Sequence, residues 1–398
     1  MGDRVTTWKD RACARVEAER ALLSELSGRI HATPELCFDE QRAMAWLAEY
    51  LEGAGFTVER GAFGLPTAFA ARIGHGTPHV AILCEYDALP GIGHACGHNI
   101  IAAAGAGAGS ALVPVIAEAG GSVTVLGTPA EEGGGGKIIM GRNGAFTGID
   151  AAMMVHPAGM DLPAMQVLAV TQVRVEYRGQ AAHASAFPHR GINALDAMVT
   201  AYSAIAQLRQ HIRETERIHG IITDGGQAAN IVPEHTAGVF YIRAADERRL
   251  AQLKDRVEGC FRAGALATGA ELHLETFGMD YADMLTNGPL VNAYTANLER
   301  VGRTMGNLAE VPASVAGSTD MGNVSKLVPA IHPMIAIAPA QVPLHSPEFA
   351  QWAGSGDAQR AVIDAAKALA MTALDVLCNA DLRAAMQTAF AAAQEAAA

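Results

Sequence analysis

The sequence is poor in several features that mark particular classes of protein. Its six cysteines are scattered over 398 residues, so they do not form a disulfide framework, and they favour a reducing, cytoplasmic location. Basic residues number 29 against 41 acidic ones, which gives a formal net charge of −12, and Lys and Arg do not cluster. We therefore expect neither nucleic acid nor an acidic membrane as a partner.

Long apolar segments are also scarce. The first eight residues contain no apolar core of a signal peptide. The longest uncharged run, residues 100–117, consists largely of Ala and Gly and contains Pro114, so it has little tendency to enter a bilayer. We predict a helix of small residues packed against a sheet rather than a membrane span.

Several enzyme signatures fail when their spacing is checked. Gly133–Gly136 followed by Lys137 suggests a phosphate-binding loop, but Glu131 occupies the first glycine position and Ile138 replaces the Ser or Thr. Neither G-x-S-x-G nor H-E-x-x-H occurs, which disfavours a serine hydrolase and a zincin. A redox protein that uses Cys96 is disfavoured because the sequence lacks C-x-x-C.

The periodicity of apolar residues predicts an α/β protein with an insertion. Up to residue 168, helices alternate with short apolar strands. From there to residue 277 the order becomes β-α-β-β-α-β, which is typical of a ferredoxin-like sandwich, and α/β character then returns. We predict an α/β/α catalytic domain in two parts, residues 1–168 and 285–398, interrupted by an inserted α+β domain, residues 169–284.

The individual elements follow from the same patterns. Predicted helices are 10–30, 40–54, 193–213, 246–267 and 289–303. Predicted strands are 66–73, 79–85, 122–127, 150–155, 168–177, 218–223, 235–243, 271–277 and 333–338.

Candidate metal donors follow two of these strands. Cys96 and His98 are two residues apart, and on a tight turn side chains at that spacing can converge on one ion. Glu131 and Glu132 are adjacent, so on an extended segment they point in opposite directions. One carboxylate can then bind a metal ion while the other faces the substrate as a proton shuttle.

Each of these signals has an ordinary explanation when it is taken alone. A lone C-x-H is common, and two glutamates before glycines usually form a solvated loop. His156, at the end of an apolar strand, would usually be a core histidine, and His345 lies in a Pro-rich turn. Their combination favours a metal-dependent hydrolase, because Cys, His and Glu are donors that borderline-soft divalent metals accept.

Taken in order, the motifs resemble the M20 family of metallopeptidases and amidohydrolases, in the branch that uses a cysteine ligand. That branch includes aminobenzoyl-glutamate hydrolase subunits and β-alanyl-lysine-type dipeptidases. The matching motifs, spread over roughly residues 27–350, are His31–Leu36, Glu85–Pro90, Cys96 with His98, Pro129–Gly133, Val155–Pro157, Gly179–Ser185, Asn230–Glu234 and Leu344–Ser346.

The resemblance implies an exopeptidase-type catalytic domain with two divalent metal ions and an inserted lid and dimerisation domain. It implies that Glu131 is the general base and that Asp87 orients a histidine ligand. Zinc is the first expectation, and manganese, cobalt and nickel accept similar donors. The implied metal ligands are Cys96, His98, Glu132, His156 and His345.

Further roles lie in and near the inserted domain. His183 and Asn230 correspond to residues that stabilise the oxyanion in the family, where the histidine often comes from the other subunit of a homodimer. Arg243 is a candidate for binding the substrate carboxylate. Ser318 and Thr319 are expected to line the substrate pocket, and the alternative for their segment is a glycine-rich turn without substrate contact.

One departure from the family concerns the first metal motif. Much of the family has His-x-Asp where this chain has Glu85-Tyr86-Asp87, which removes one usual histidine ligand.

The expected reaction is hydrolysis of the amide bond of a small N-acyl amino acid or dipeptide with a free carboxylate, by a metal-activated water with Glu131 as base. The alternative is a non-catalytic binding or regulatory subunit on the same fold.

Overall fold

The computed structural model describes residues 2–311 and 316–397. The strands are β1 (Thr57–Arg60), β2 (Phe69–His75), β3 (His79–Glu85), β4 (Gly121–Thr128), β5 (Ala151–Met153), β6 (His156–Ala158), β7 (Ala169–Arg178), β8 (Arg217–Asp224), β9 (His235–Ala244), β10 (Glu271–Thr276), β11 (Ala330–Ile331) and β12 (Met334–Ala336). The helices are α1 (Gly2–Ala18), α2 (Arg20–Ala32), α3 (Gln41–Ala54), α4 (His98–Leu112), α5 (Ile116–Ala119), α6 (Gly136–Arg142), α7 (Ala194–Leu208), α8 (Glu247–Thr268), α9 (Gly288–Arg300), α10 (Met321–Ser325), α11 (Pro347–Ala353), α12 (Gly356–Cys378) and α13 (Ala380–Ala397).

The larger sheet has the strand order β1-β2-β4-β3-β5-β11. Its strands β4, β3, β5 and β11 pair in parallel, whereas β2 runs antiparallel to both of its neighbours. The central strand β3 is buried from Val80 to Glu85, as its nearly continuous apolar run predicts for a strand covered by helices on both faces. The predicted α/β/α architecture is confirmed.

Helix α4 lies against this sheet, and all of its residues are buried. Its glycines permit close approach: a Cβ atom added to Gly105 would lie 2.8 Å from the carbonyl oxygen of Leu83 on β3. The helix ends at Leu112, before Pro114. The predicted small-residue helix is therefore confirmed, and within the described ranges every helix is too short or too polar to cross a bilayer.

Residues 169–276, called the inserted unit here, form a second sheet in the antiparallel order β10-β7-β9-β8. Helices α7 and α8 pack against one face of it, in a separate core that includes Val175, Phe240 and Phe261. The alternating burial of β7 reflects one face on this core and one face turned away from it. The predicted order β-α-β-β-α-β is confirmed.

Two predicted elements are divided differently in the structure. The helix predicted over 10–30 is two helices, α1 and α2, because the backbone leaves helical geometry at Glu19, and apolar periodicity that continues across such a break does not reveal it. The strand predicted over 150–155 ends at Met153 in β5. His156 begins β6, which pairs in parallel with β12 in a sheet of its own.

Candidate active site

The candidate donors lie near the carboxyl ends of the parallel strands. Asp87 follows β3, Glu131 and Glu132 follow β4, and His98 is the first residue of α4. His156 opens β6, immediately beyond β5. Parallel strands end at the same edge of a sheet, which is where open α/β sheets hold their ligands. This topology brings together residues that are up to 69 positions apart in the sequence.

Three overlapping groups of donors converge at this edge. Within each group, all ligand atoms lie within 4.8 Å of one another. The groups are Cys96, His98 and His156, then Cys96, Glu132 and His345, and finally His98, Glu131 and Glu132. The structure thus gathers the five expected ligands and the expected base at one place, and Cys96 and Glu132 link the groups.

Hydrogen bonds to the far sides of the rings aim the histidine donors inward. His98 Nδ1 lies 3.0 Å from Asp87 Oδ1 and 2.9 Å from the Asp87 carbonyl oxygen, which leaves Nε2 facing the cluster. His156 Nδ1 lies 2.7 Å from the Pro157 carbonyl oxygen, and its Nε2 is 3.3 Å from Cys96 Sγ. Contacts of this kind fix the orientation of metal-binding histidines.

Asp87 also anchors the glutamate segment. Its Oδ2 accepts a hydrogen bond of 2.9 Å from the backbone N–H of Glu132. Burial raises the pKa of Asp87, but the charge and hydrogen bond of His98 and the bond from Glu132 outweigh it and bring the pKa to about 2. Asp87 is therefore an ionised carboxylate, and it connects the turn after β3 with the loop after β4.

The cluster contains buried polar atoms without hydrogen-bond partners, and a divalent cation could bind them. His98 Nε2 and Glu132 Oε1 are buried without a hydrogen-bond partner among the described residues. Carboxylate oxygens of Glu85, Glu131 and Glu132 lie between 3.4 and 3.9 Å from His98 Nε2. Burial raises the pKa of Glu131 well above its usual value, and the neighbouring carboxylates add to the effect. Converging N, S and O donors with excess negative charge therefore fit a divalent metal site.

One residue next to the cluster and one member of it have left-handed backbone geometry although neither is glycine. Ala130, next to Glu131, has φ +58°, and His345 has φ +60°. Such geometry costs roughly 1–3 kcal/mol and persists where the surroundings enforce it. The backbone N–H of Ala130 is held by Glu40 Oε1 at 2.9 Å, and that of His345 by the Ala95 carbonyl oxygen at 2.9 Å.

Tyr281 holds the segment that carries Glu131. Its hydroxyl donates a 2.6 Å hydrogen bond to the Glu131 carbonyl oxygen and accepts one of 3.0 Å from the Gly135 N–H. Sequence reasoning missed this residue, because nothing near position 281 resembles a motif. Tyr281 lies 150 residues from Glu131, and a contact at that separation leaves no local pattern.

A buried ionic group behind the cluster was also missed. Lys137 Nζ donates a 2.5 Å hydrogen bond to Asp320 Oδ1 and lies 2.6 Å from Glu85 Oε1, and all three side chains are fully buried. The other Glu85 oxygen, Oε2, lies 3.4 Å from His98 Nε2. Glu85 is therefore countered by Lys137, the lysine that follows the four glycines.

A cavity of about 960 Å³ opens onto the cluster. Arg243, on the face of the second sheet that is turned toward the cavity, donates a 2.6 Å hydrogen bond from Nη1 to Ser318 Oγ, and Thr319 lines the same wall. His332, which was not predicted, also lines the cavity. The three expected pocket residues are thus placed on the cavity wall.

His183 and Asn230 lie elsewhere in the chain. They are close to each other, since the Ala184 N–H donates a 3.0 Å hydrogen bond to the Asn230 carbonyl oxygen. Both side chains are exposed, and neither is among the residues that line the cavity. Within a single chain, the structure does not bring these two residues to the metal donors.

Comparisons with known proteins identify the relatives of this chain. Residues 169–268 match the peptidase dimerisation domain of the M20 family. The Xaa-Arg dipeptidase of Mus musculus is 43% identical over 93% of this chain and 89% of its own length. The p-aminobenzoyl-glutamate hydrolase of Escherichia coli K12 contains a subunit that is 35% identical over 74% of this chain and 66% of its own length.

Solved structures show the same fold. A dinuclear metal-binding M20 peptidase from Bacillus subtilis superposes with a TM-score of 0.71 at 21% identity, covering 91% of this chain and 99% of that chain. The aminobenzoyl-glutamate utilisation protein of Klebsiella pneumoniae gives 0.70 at 19% identity, covering 90% and 97%. Given the extent of the match to the mouse enzyme, this chain belongs to the M20 family of metal-dependent peptidases and amidohydrolases.

Proposed function

We propose that this protein hydrolyses the amide bond of small dipeptides or N-acyl amino acids that carry a free carboxylate. The observation that carries the proposal is the convergence of five donors with Glu131 at the floor of a cavity. Catalysis is favoured over a purely binding or regulatory role because the donors and the base stand together and because the relatives named above are enzymes.

The proposed residues for two divalent ions are Cys96, His98, Glu132, His156 and His345. When bound, such ions lower the pKa of water and polarise a carbonyl group. Zinc is the expected metal, and manganese, cobalt or nickel could occupy the same donors. The free cysteines of the described chain support a cytoplasmic location as part of the proposal.

Glu131 is the proposed proton carrier. Its carboxylate takes a proton from the attacking water and then gives a proton to the departing amine. The hydrogen bond from Tyr281 fixes the backbone of this residue, so its carboxylate stays directed at the cluster. Asp87 acts through His98 by holding the ring, and it does not exchange protons with the substrate.

The substrate carboxylate is proposed to lie near Arg243. This arginine is directly opposite Arg217 in the pairing of β8 with β9, and both side chains line the cavity. Like charges facing each other across a sheet repel, and an anionic group between them would relieve that repulsion. Ser318 orients Arg243, and Thr319 completes the wall. Dipeptides and aminobenzoyl-glutamate, named in the relatives' activities, carry such a carboxylate.

A homodimer is proposed because the inserted unit exposes apolar residues near its edge. Strand β8 is at the edge of its sheet, with the side chains of Ile221 and Ile222 65% and 40% exposed, and Val199 on α7 is 50% exposed. In the dimer, His183 and Asn230 of each chain would stabilise the oxyanion in the partner's site. The proposed domain limits are residues 1–168, 169–284 and 285–398.

The test is the release of amine from a panel of N-acyl amino acids and dipeptides with acidic, neutral and basic C-terminal residues. Metal-stripped protein is compared with protein reloaded with Zn, Mn, Co or Ni. Activity that appears on reloading supports the proposal, and folded dimer that is inactive with every metal and substrate contradicts it.

Matched variants separate the two proposed roles. Glu131→Gln should keep the metal content and lose at least about 100-fold in kcat, because general base catalysis contributes roughly 10²–10⁴. Cys96→Ser should lose metal, whereas Cys260→Ser, in the inserted unit, should not. Near-normal turnover of Glu131→Gln would remove the base from this position.

A further inference from the structure

His332 is a buried residue in the cavity wall, next to His156. It lies between β11 and β12, on the chain segment that runs parallel to the segment carrying His156. The two imidazole rings have centroids 5.2 Å apart and are tilted by 30°. His332 is 1% exposed and lines the cavity that opens onto the cluster.

Neither ring nitrogen of His332 has a hydrogen-bond partner among the described residues. A buried polar group without a partner costs roughly 1–3 kcal/mol, so such groups are rare unless a partner arrives from outside the chain. A neutral imidazole offers one N–H donor and one acceptor. Because His332 lines the cavity, an occupant of the cavity can supply the missing partner.

His332 stands outside the groups of converging donors. Its nitrogens are not part of any of the three groups within 4.8 Å. Lys137 pairs with Glu85 and Asp320, and no hydrogen bond joins it to His332. The side chain therefore belongs to the cavity wall rather than to the proposed ligand set.

The neighbours of His332 indicate which part of a substrate would reach it. Met334, two residues further along the chain, forms an apolar cluster with Ala158 and Leu162, and Met165 and Val311 pack against it. His332 thus stands where the metal donors meet an apolar wall. A substrate whose scissile carbonyl carbon lies beside Glu131 and whose acyl group follows that wall has His332 among the residues around it.

We propose that His332 is a further catalytic residue, which donates a hydrogen bond to the acyl oxygen of the scissile amide. This rests on the proposed function. The attacking water oxygen forms a bond to the carbonyl carbon. As it does so, the electron pair of the C=O bond moves onto the acyl oxygen, and the hydrogen bond from His332 to that acyl oxygen strengthens. The imidazole transfers no proton, and it serves the oxyanion from within the same chain, beside the donors expected from the partner.

The test compares His332→Leu, which removes the donor, with His332→Gln, which retains an N–H donor. The control is His79→Gln, at the first residue of β3, the end of that strand away from the candidate site. The loss of one oxyanion donor typically lowers kcat by roughly 10²–10³. We expect this loss for His332→Leu, an intermediate loss for His332→Gln, KM within a few-fold of the parent, and unchanged metal content by mass spectrometry.

Binding provides a readout that does not depend on turnover. A phosphinate analogue of an N-acyl amino acid, with a tetrahedral phosphorus in place of the carbonyl carbon, is titrated calorimetrically into metal-loaded protein. We expect His332→Leu to weaken its binding by roughly the factor lost in kcat, with His332→Gln between the two. The free product amino acid should bind all variants equally.

The outcomes separate this assignment from the proposed function. A kcat of His332→Leu within threefold of the parent, or unchanged phosphinate affinity, overturns the assignment while the hydrolase proposal stands. Loss of a metal ion in His332→Leu would overturn it in favour of a ligand role. If the parent cleaves nothing in the panel, the proposed function fails, and the phosphinate comparison still decides whether His332 binds a tetrahedral oxyanion.

Discussion

Much of the geometry of the site is set by side chains that hydrogen-bond to the proposed donors or to the backbone beside them. Asp87 orients His98 and holds the N–H of Glu132, Tyr281 holds the carbonyl of Glu131, and Glu40 holds Ala130. Three of these contacts, those with Ala130, Glu131 and Glu132, restrain the loop after β4. The geometry of the expected base is therefore determined by residues that do not themselves need to touch a substrate.

Glu40 should make the stability of the protein depend on pH. Burial raises the pKa of this fully buried carboxyl to about 7. A carboxyl whose pKa is higher in the folded state than its usual 4.5 favours folding when protonated, so stability falls as the pH rises from about 4.5 through 7. The difference between the two pKa values corresponds to at most roughly 3 kcal/mol.

We expect Glu40→Gln to lack this loss of stability at higher pH. Urea unfolding of metal-free protein at several pH values between 5 and 8 should show the variant gaining stability relative to the parent as the pH rises. Glu25→Gln, an exposed change on α2, should show no such trend. A difference between Glu40→Gln and the parent that is the same at pH 5 and pH 8 would contradict the prediction.

At this scale, sequence reasoning found the residues that carry motifs and missed their supports. Cys96 and His98 are recognisable because they stand two apart after an apolar strand, and Glu131 and Glu132 because they are adjacent. Lys137 and Asp320 meet across 183 positions. His332 looks like an ordinary residue between apolar neighbours, and its lack of partners exists only in three dimensions.

At the scale of elements, small residues set the distance between layers. Helix α4 contains Gly105, Gly107 and Gly109, each of which would clash with a neighbour if it carried a Cβ atom. The neighbours that Gly105 would meet, Leu83 and Cys84, lie on β3. Strand β3 leads directly to Asp87, and α4 begins with His98. The close packing of this helix on this strand therefore controls the spacing between two parts of the proposed metal site.

Gly105→Ala should therefore destabilise the protein, although alanine favours helices. Its Cβ atom would lie 2.7 Å from Cys84 Sγ and 2.8 Å from the Leu83 carbonyl oxygen, and overpacking of this kind costs about 1–3 kcal/mol. The matched control is Gly28→Ala in α2, where the described chain leaves open space within 4 Å. It should gain about 0.5–1 kcal/mol. Urea unfolding curves give both values, and equal effects would refute the packing argument.

The order of elements was predictable, but their breaks were not. Apolar periodicity identified the sandwich of the inserted unit, because alternation in β7 differs from the continuous apolar run of β3. The same signal joined α1 to α2 and extended β5 from Met153 to residue 155, up to the start of β6. Periodicity records which face is buried, and the buried face continues through both breaks while the backbone changes direction.

At the scale of the whole molecule, the proposed dimer would complete the site. The metal donors and the cavity belong to one chain, while His183 and Asn230 are exposed on the inserted unit. A monomer would therefore have the proposed base and ligands without two of the proposed oxyanion donors. Activity and association should then be coupled.

Ile221→Glu tests this coupling. A charge on the exposed edge strand should oppose pairing with a second copy, so the mass in analytical ultracentrifugation should fall from twice 41.4 kDa to 41.4 kDa, with a large loss of kcat and retained metal. Leu266→Glu changes an 88% exposed residue on α8, a helix that contacts the opposite edge strand β10, and should leave the dimer intact. Monomers with full activity would contradict the contribution of the partner.

The insertion of residues 169–276 between β5 and β11 also has a consequence for biosynthesis. These two strands are neighbours in the larger sheet, and His345 comes later still in the chain. During translation, domains generally fold from the amino terminus as they emerge from the ribosome. Here the inserted unit emerges whole before β11 does. If Cys96, His98 and His156 bind metal as proposed, they would emerge before His345, the last member of the proposed ligand set.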